Sequence, residues 1–191
     1  MSVIIVSKEN KEILIASDGY CGNGTEKGIC GAKFFTYKSS DIIIGVVGDS
    51  RTSDIIQNHL VIPKQKVKGY SYIVSCLVPN IIETLREHKA ITVGEYNEDQ
   101  MIDNEIIVLY NNDIYTIDES FAVLKINYNE YAIGAGADLA LGALEAYQDT
   151  KKFTHEEKII KAMEISSKHL SVISKPFYIM NFKTKHIKQI D

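Results

Sequence analysis

Cysteine is scarce in this chain of 191 residues, which has three cysteines and no tryptophan. Cys21, Cys30 and Cys76 are odd in number, widely spaced and without a CxxC pair. Disulfide frameworks and structural zinc sites need paired or clustered cysteines, so neither is indicated. We interpret the three residues as reduced thiols.

Neither sign of charge is in large excess, and long hydrophobic runs are missing. The 25 acidic and 21 basic residues are mixed along the chain and leave a net charge of -4, which provides no broad field for nucleic acid or an anionic membrane. The uncharged stretch Tyr70–Ile82 contains Pro79 and Asn80 and is shorter than the ~20 apolar residues of a spanning helix. The first residues lack the basic segment of a secretory signal. We therefore expect a cytoplasmic protein.

Common catalytic and cofactor motifs are also missing. The five histidines lie far apart and none belongs to an HExxH metal-binding motif. No GxSxG turn of a serine hydrolase occurs. The glycine-rich segment 22–28 lacks the GKS or GKT of a phosphate loop and precedes β-prone residues, so we predict a flexible loop there. No metal or cofactor is predicted.

The order of elements predicts one α+β domain over residues 1–191. We expect strands at 3–7, 12–18, 33–37 and 42–47, helices at 52–60 and 70–89, a β-rich block at 105–133, helices at 137–147 and after a capping box at Thr154 and Glu157, and a hairpin at 177–182 and 186–190. The first two hairpins are expected to share one sheet, with a turn at Ser39–Ser40 between the third and fourth strands. Pro79 is expected to kink or restart the second helix. This order predicts a four-layer αββα sandwich of two stacked antiparallel sheets flanked by helix pairs.

A small hydroxyl residue after Met1 and two charged residues at strand ends provide the candidate chemistry. Removal of Met1, which is common before serine, would leave Ser2 with both a hydroxyl and a free α-amine. An α-amino group has an ordinary pKa near ~8 and can act as a base toward its own hydroxyl. Taken singly, Asp18 and Lys33 are more often surface charges. On adjacent strand ends, Lys33 would lower the proton affinity of the hydroxyl and amine, and Asp18 would hold the ammonium.

Four short blocks carry a resemblance to a known family. They are residues 2–4 (SVI), 15–19 (IASDG), 32–34 (AKF) and 44–49 (IGVVGD), with a further likeness at 131–136 (YAIGAG). The chain resembles proteasome β-subunits, and most of all HslV proteases, in which an N-terminal threonine or serine begins the first strand. The resemblance implies an N-terminal-nucleophile (Ntn) hydrolase fold and a threonine-protease-type mechanism carried out by serine.

The resemblance also implies a role for each matching residue. Ser2 would be the nucleophile and, through its amine, the base; Lys33 would tune its pKa and Asp18 would pair with Lys33. The N–H of Gly45 would stabilise the oxyanion, a contribution of about 2–4 kcal/mol in such sites. Ile43 would line a specificity pocket for apolar side chains.

Two positions depart from the family pattern. Ala135 stands where the family has a serine that supports the amine, and Lys168 occupies the place of a family aspartate. Ser171 is a candidate to compensate for this difference. These departures leave the activity more open than the fold.

Three functions are compatible with the sequence. The first is a peptidase subunit of a homo-oligomeric ring, acting on unfolded polypeptides delivered by an ATP-dependent unfoldase, as the resemblance implies. The second is a catalytically inactive subunit with a structural or binding role. The third is an Ntn amidohydrolase that acts on a small amide.

Overall fold

The computed structural model describes residues 2–22, 26–37, 40–93 and 100–191. The chain forms two compact units: the first runs up to Phe34 and resumes from Asn127 to Asp191, and the second is Phe35–Ile126. Residues 23–25 of the predicted glycine-rich loop and Ser39 of the predicted turn lie outside the described residues. So does Met1, whose removal stays a prediction.

The helices and longer strands follow the predicted order, and two short strand pairs that were not predicted are present as well. The strands are β1 (Ile4–Glu9), β2 (Glu12–Asp18), β3 (Tyr20–Gly22), β4 (Lys27–Ile29), β5 (Phe34–Thr36), β6 (Ile43–Gly48), β7 (Thr92–Val93), β8 (Gln100–Met101), β9 (Asn104–Tyr110), β10 (Asp113–Ile117), β11 (Val123–Ile126), β12 (Glu130–Ile133), β13 (Phe177–Asn181) and β14 (Ile187–Ile190). The helices are α1 (Ser50–His59), α2 (Tyr70–Tyr72), α3 (Val78–Glu87), α4 (Ala137–Tyr147) and α5 (His155–His169).

The first unit is a five-stranded antiparallel sheet in the order β12-β1-β2-β13-β14, with α4 and α5 packed on it. A two-residue turn at Asn10 and Lys11, both with positive φ, joins β1 to β2, the geometry that suits a tight hairpin. Alternate strand residues such as Val3, Ile5 and Ala16 pack into one core with the two helices. Residues between them are equally buried, which explains why both strands are continuous apolar runs rather than alternating ones.

The predicted capping box at the start of α5 is confirmed. The Thr154 side chain accepts from the Glu157 N–H, and the Glu157 carboxylate accepts from the Thr154 N–H. Two N–H groups that the first helical turn leaves without intrahelical partners are thereby satisfied. These two hydrogen bonds mark the start of α5.

The second unit is a five-stranded sheet in the order β11-β10-β9-β6-β5, covered by α1 and by the helical segment from α2 to α3. That segment contains a π-helical turn, Ile73–Leu77, which ends two residues before Pro79. Because proline donates no backbone N–H, the helix must give up one hydrogen bond at this point, and the wider turn absorbs the change. The predicted disturbance at Pro79 is thus a π turn within one helical segment.

The prediction that the first two hairpins share a sheet is wrong. β1 and β2 lie in the first sheet, whereas β5 and β6 lie in the second, where β6 pairs with β9. The connection from β2 to β5 is long and contains the separate β3–β4 hairpin, so no tight turn forces β5 to pair with β2. Likewise β12, predicted within the second β-rich block, pairs with β1 instead.

The predicted α+β class, with two antiparallel sheets and helix pairs, is confirmed. Within the parts of the chain that the structure describes, no helix combines the length and apolar character needed to cross a bilayer.

Candidate active site

The peptide unit between Ser2 and Val3 is held at both of its polar atoms. The Val3 N–H donates to the Asp18 carboxylate at 2.9 Å, and the Ser2 carbonyl accepts from the Gly136 N–H at 3.3 Å. A peptide unit is planar, so two bonds on opposite edges fix its orientation. Ser2 itself is 5% exposed. The atoms that carry any Ser2 chemistry are therefore attached to an immobilised support.

Asp18 connects this peptide unit to Lys33. One carboxylate oxygen accepts from Val3, and the other accepts from the Lys33 ammonium at 2.7 Å and from the Tyr20 N–H at 3.1 Å. Asp18 is fully buried and the Lys33 side chain is 11% exposed. Burial raises the pKa of the Asp18 carboxyl, while the Lys33 ammonium and then the two N–H groups act to lower it. A buried carboxylate with three donors is a fixed negative charge that locates the ammonium.

The backbone of Lys33 is held by a residue that sequence reasoning missed. The Lys33 N–H donates to the Ser17 hydroxyl at 3.0 Å, and Ser17 is fully buried in β2. A hydroxyl within an otherwise apolar buried strand is costly without a partner, which is the signal that could have identified it. Ser17 and Asp18, adjacent on one strand end, thus bind the main chain and the side chain of the same lysine.

Gly136 is closely surrounded by apolar side chains. A Cβ at this position would lie 2.3 Å from Cδ1 of Ile173 and 3.0 Å from Cβ of Val3. Its carbonyl accepts from the buried hydroxyl of Ser166 on α5, at 3.3 Å. Gly136 and Ser166 are a second support that the sequence did not reveal, although the 131–136 block was singled out. We call Ser2, Val3, Asp18, Lys33 and Gly136 together the Ser2 site.

Of the remaining predicted residues, Ala135 directly precedes Gly136, and no hydrogen bond that the structure describes links the others to the Ser2 site. Ala135, Lys168 and Ser171 are exposed; Lys168 is in the last turn of α5 and Ser171 follows that helix. Gly45 and Ile43 lie within β6 of the second unit, opposite Ile107 and Leu109, and both are buried. The roles of all five stay predictions.

A separate polar cluster joins a serine, a histidine and a carboxylate. The Ser7 hydroxyl lies 2.8 Å from Nε2 of His155, whose Nδ1 lies 3.1 Å from the Glu12 carboxylate. Ser7 also donates to Glu130 at 3.4 Å and is 1% exposed. The hydroxyl is thus bonded within the cluster, between α5 and the two strands. The cluster ties the first turn of α5 to β1 and β2.

Within the described residues, no group of three or more histidine, cysteine or acidic side chains is arranged to hold a metal ion. The Ser2 site provides an immobilised N-terminal segment, a paired ammonium and a buried counter-charge.

Comparison with solved structures identifies the fold. The chain aligns with Thiobacillus denitrificans BPH at a TM-score of 0.75 and 14% identity, covering 99% of this chain and 98% of that one. It aligns with HslV from Trypanosoma brucei at a TM-score of 0.65 and 16% identity, covering 94% and 98%. For Anbu from Yersinia bercovieri the TM-score is 0.69 and the identity 10%, covering 98% and 86%. No protein-family pattern matches the sequence, and no curated protein matches it.

These alignments span nearly the whole of this chain. They confirm at the level of the fold the resemblance drawn from the four sequence blocks: the chain has the Ntn-hydrolase fold of proteasome-like proteins.

Proposed function

We propose that this chain is a peptidase subunit of the proteasome and HslV type, with Ser2 as an N-terminal nucleophile after removal of Met1. The observation that carries the proposal is the Asp18 carboxylate, which binds both the Val3 N–H and the Lys33 ammonium. One buried group thereby sets the position of the N-terminal segment and of the cation that the chemistry needs. The shared fold supports the same function.

In the proposed mechanism, the α-amine of Ser2 takes the proton of its own hydroxyl, directly or through water. The hydroxyl oxygen then attacks the scissile carbonyl carbon, and the Lys33 ammonium stabilises the developing alkoxide. The N–H of Gly45 is assigned to the oxyanion, and Ile43 to the pocket for the substrate side chain. The protonated amine returns its proton to the leaving amine, and water releases the acyl group from Ser2.

Removal of Met1 is the condition for this mechanism. While Met1 is attached, the Ser2 nitrogen is a peptide nitrogen with no lone pair available for a proton. Intact-mass spectrometry of the purified protein measures this directly. Retained Met1 would overturn the proposed base.

Activity is tested with fluorogenic peptides and with a covalent inhibitor. One solved structure of the Thiobacillus protein is a complex with epoxomicin, so we expect this chain to gain the mass of one epoxomicin at Ser2. The variant Ser2→Ala should lose both turnover and labelling. Ser75→Ala removes an exposed serine and is the matched control, which should retain both. A fully processed chain with neither turnover nor labelling would refute the peptidase.

A non-catalytic subunit is the second candidate, favoured by Ala135 and Lys168, the two departures from the family pattern. It predicts assembly without turnover. The small-amide hydrolase is distinguished by a substrate screen, in which small amides would be cleaved and peptides would not. We also propose self-association into a ring and an ATP-dependent unfoldase as partner. Light scattering of the purified chain tests the ring, and turnover of a folded substrate with an unfoldase and ATP tests the partner.

A further inference from the structure

Two thiols share one face of the β3–β4 hairpin, next to the Ser2 site. Cys21 lies opposite Gly28, and the Cys30 N–H donates to the Gly19 carbonyl at 2.9 Å. Directly opposite residues of an antiparallel pair project to the same face, as do alternate residues of a strand. The side chains of Cys21 and Cys30 therefore project to one face of the hairpin, where Gly28 leaves space. The two cysteines are diagonal neighbours across the hairpin.

Each cysteine faces a glycine, which leaves its sulfur room to lie across the opposite strand. A Cβ at Gly28 would lie 3.0 Å from Sγ of Cys21, so this sulfur extends over β4. The Cys30 sulfur lies 3.6 Å from the Gly19 carbonyl oxygen and 3.5 Å from that of Tyr20, so it extends over β3. The two sulfurs thus reach toward each other, and the facing residues place no side chain between them.

The pair also lies within electrostatic range of the Ser2 site. Burial raises the pKa of the Cys30 thiol to about 11; Lys33 opposes the rise, and Cys21 and Asp18 add to it. At neutral pH Cys30 is therefore a thiol and a weak nucleophile toward an oxidant. All three cysteines of the chain are free.

We propose that Cys21 and Cys30 form a reversible disulfide across the hairpin, and that its formation displaces Lys33 and inhibits the Ser2 site. The inhibition rests on the function proposed above, whereas the disulfide and the displacement do not.

The oxidant in this proposal is a peroxide. The Cys21 thiolate attacks one peroxide oxygen, the O–O bond breaks, and the departing hydroxide takes a proton, leaving a sulfenic acid on Cys21. The Cys30 sulfur then attacks the Cys21 sulfur, the S–S bond forms and the S–O bond breaks. The oxygen leaves as water with the Cys30 proton. Overall two thiols and hydrogen peroxide give one disulfide and two waters, and two electrons pass from sulfur to oxygen.

Closing this bond requires the hairpin to move. Diagonal neighbours in an antiparallel pair are about 7–8 Å apart at Cα, whereas disulfides span up to about 6.8 Å. The strands must therefore approach by roughly 1 Å. The Gly19 carbonyl accepts from the Cys30 N–H, and Gly19 directly follows Asp18 in the chain. Lys33 is only three residues after Cys30. The movement therefore acts on both partners of the ion pair, and a disulfide that includes the exposed Cys30 is readily reduced.

The experiment treats the full chain with hydrogen peroxide, then with dithiothreitol, and follows three properties. Peptide mapping identifies the linked cysteines, amide exchange reports the Lys33 N–H that donates to Ser17, and peptide turnover reports the site. We expect a 21–30 linked peptide, faster exchange at Lys33 and about tenfold lower kcat/KM, equivalent to ~1.4 kcal/mol. All three changes should reverse with dithiothreitol.

Three variants make the test specific. Cys76→Ser, the matched control in the second unit, should respond as the unchanged protein does. Cys21→Ser and Cys30→Ser should show no linked peptide and no change at Lys33. Oxidation that gives no Cys21–Cys30 disulfide would overturn the proposal. A disulfide that leaves amide exchange at Lys33 unchanged would overturn the proposed displacement of Lys33. If the reduced chain shows no turnover, the proposed function is refuted. Peptide mapping of the Cys21–Cys30 disulfide and amide exchange at Lys33 would still test the present inference.

Discussion

Removing Lys33 should leave a buried charge without its cation. The variant Lys33→Met keeps the length and apolar stem of the side chain but removes the ammonium that lies 2.7 Å from the fully buried Asp18. Removing one partner of a buried pair costs about 3–5 kcal/mol. Because the N–H groups of Val3 and Tyr20 still donate to the carboxylate, we expect the low end, about 3 kcal/mol.

Urea unfolding followed by circular dichroism measures this loss, since the chain has no tryptophan. With a slope of about 2 kcal/mol per molar, the midpoint should fall by roughly 1.5 M urea. The double variant Asp18→Asn with Lys33→Met carries no buried charge and should recover at least half of the loss. Stability within 0.5 kcal/mol of the unchanged protein, or a double variant less stable than Lys33→Met alone, would refute the reasoning.

The loss should also depend on pH. Burial raises the pKa of the Asp18 carboxyl and the Lys33 ammonium lowers it, so the pKa rises further when the ammonium is removed. A carboxyl with a raised folded-state pKa contributes stability that is complete below its unfolded pKa and is lost as the pH rises through the folded value. The deficit of Lys33→Met should therefore be small at pH 4 and largest near pH 8. An equal deficit at both pH values would show that the carboxylate is not the cause.

Three further changes test the supports of the first unit. Gly136→Ala should lower the free energy of unfolding by about 1–3 kcal/mol through overpacking and should also lower turnover. In the control Gly142→Ala the new Cβ meets nothing within 4 Å, so this variant should be neutral or stabilising. Equal urea midpoints for the two variants would contradict the prediction. Thr154→Ala removes the N-cap of α5 and should cost about 1 kcal/mol, measured by the same unfolding. Burial raises the pKa of Glu130, so the folded chain loses stability as the pH rises through that pKa. Glu130→Gln should then raise Tm relative to the unchanged protein more at pH 7 than at pH 4, and the reverse order would be inconsistent with a buried carboxyl.

Local patterns predicted most elements because their signals lie within each element. The Thr154–Glu157 capping box marks the start of α5, and the two-residue Asn111–Asn112 turn with positive φ joins β9 to β10. Sheet membership was mispredicted because strand partners are chosen by long-range pairing. The register of Ile4 with Ile133 depends on residues far apart in the chain, and no local pattern specifies it.

The candidate site could be predicted where charged residues stand at strand ends. Asp18 and Lys33 were identified in this way, and they form an ion pair. The supports from Ser17, Ser166 and Gly136 were missed because they act through main-chain bonds and close packing. Ser171 and Ala135 are exposed, and only their place in the sequence had drawn attention to them.

The two hydrogen bonds that hold residue 2 involve none of its own side-chain atoms. Both of its hydrogen bonds end on the peptide unit that follows the side chain, so they do not depend on which side chain residue 2 carries. Threonine or cysteine at this position would therefore keep both hydrogen bonds. The scaffold would then allow three different nucleophiles to be compared on the same main-chain support.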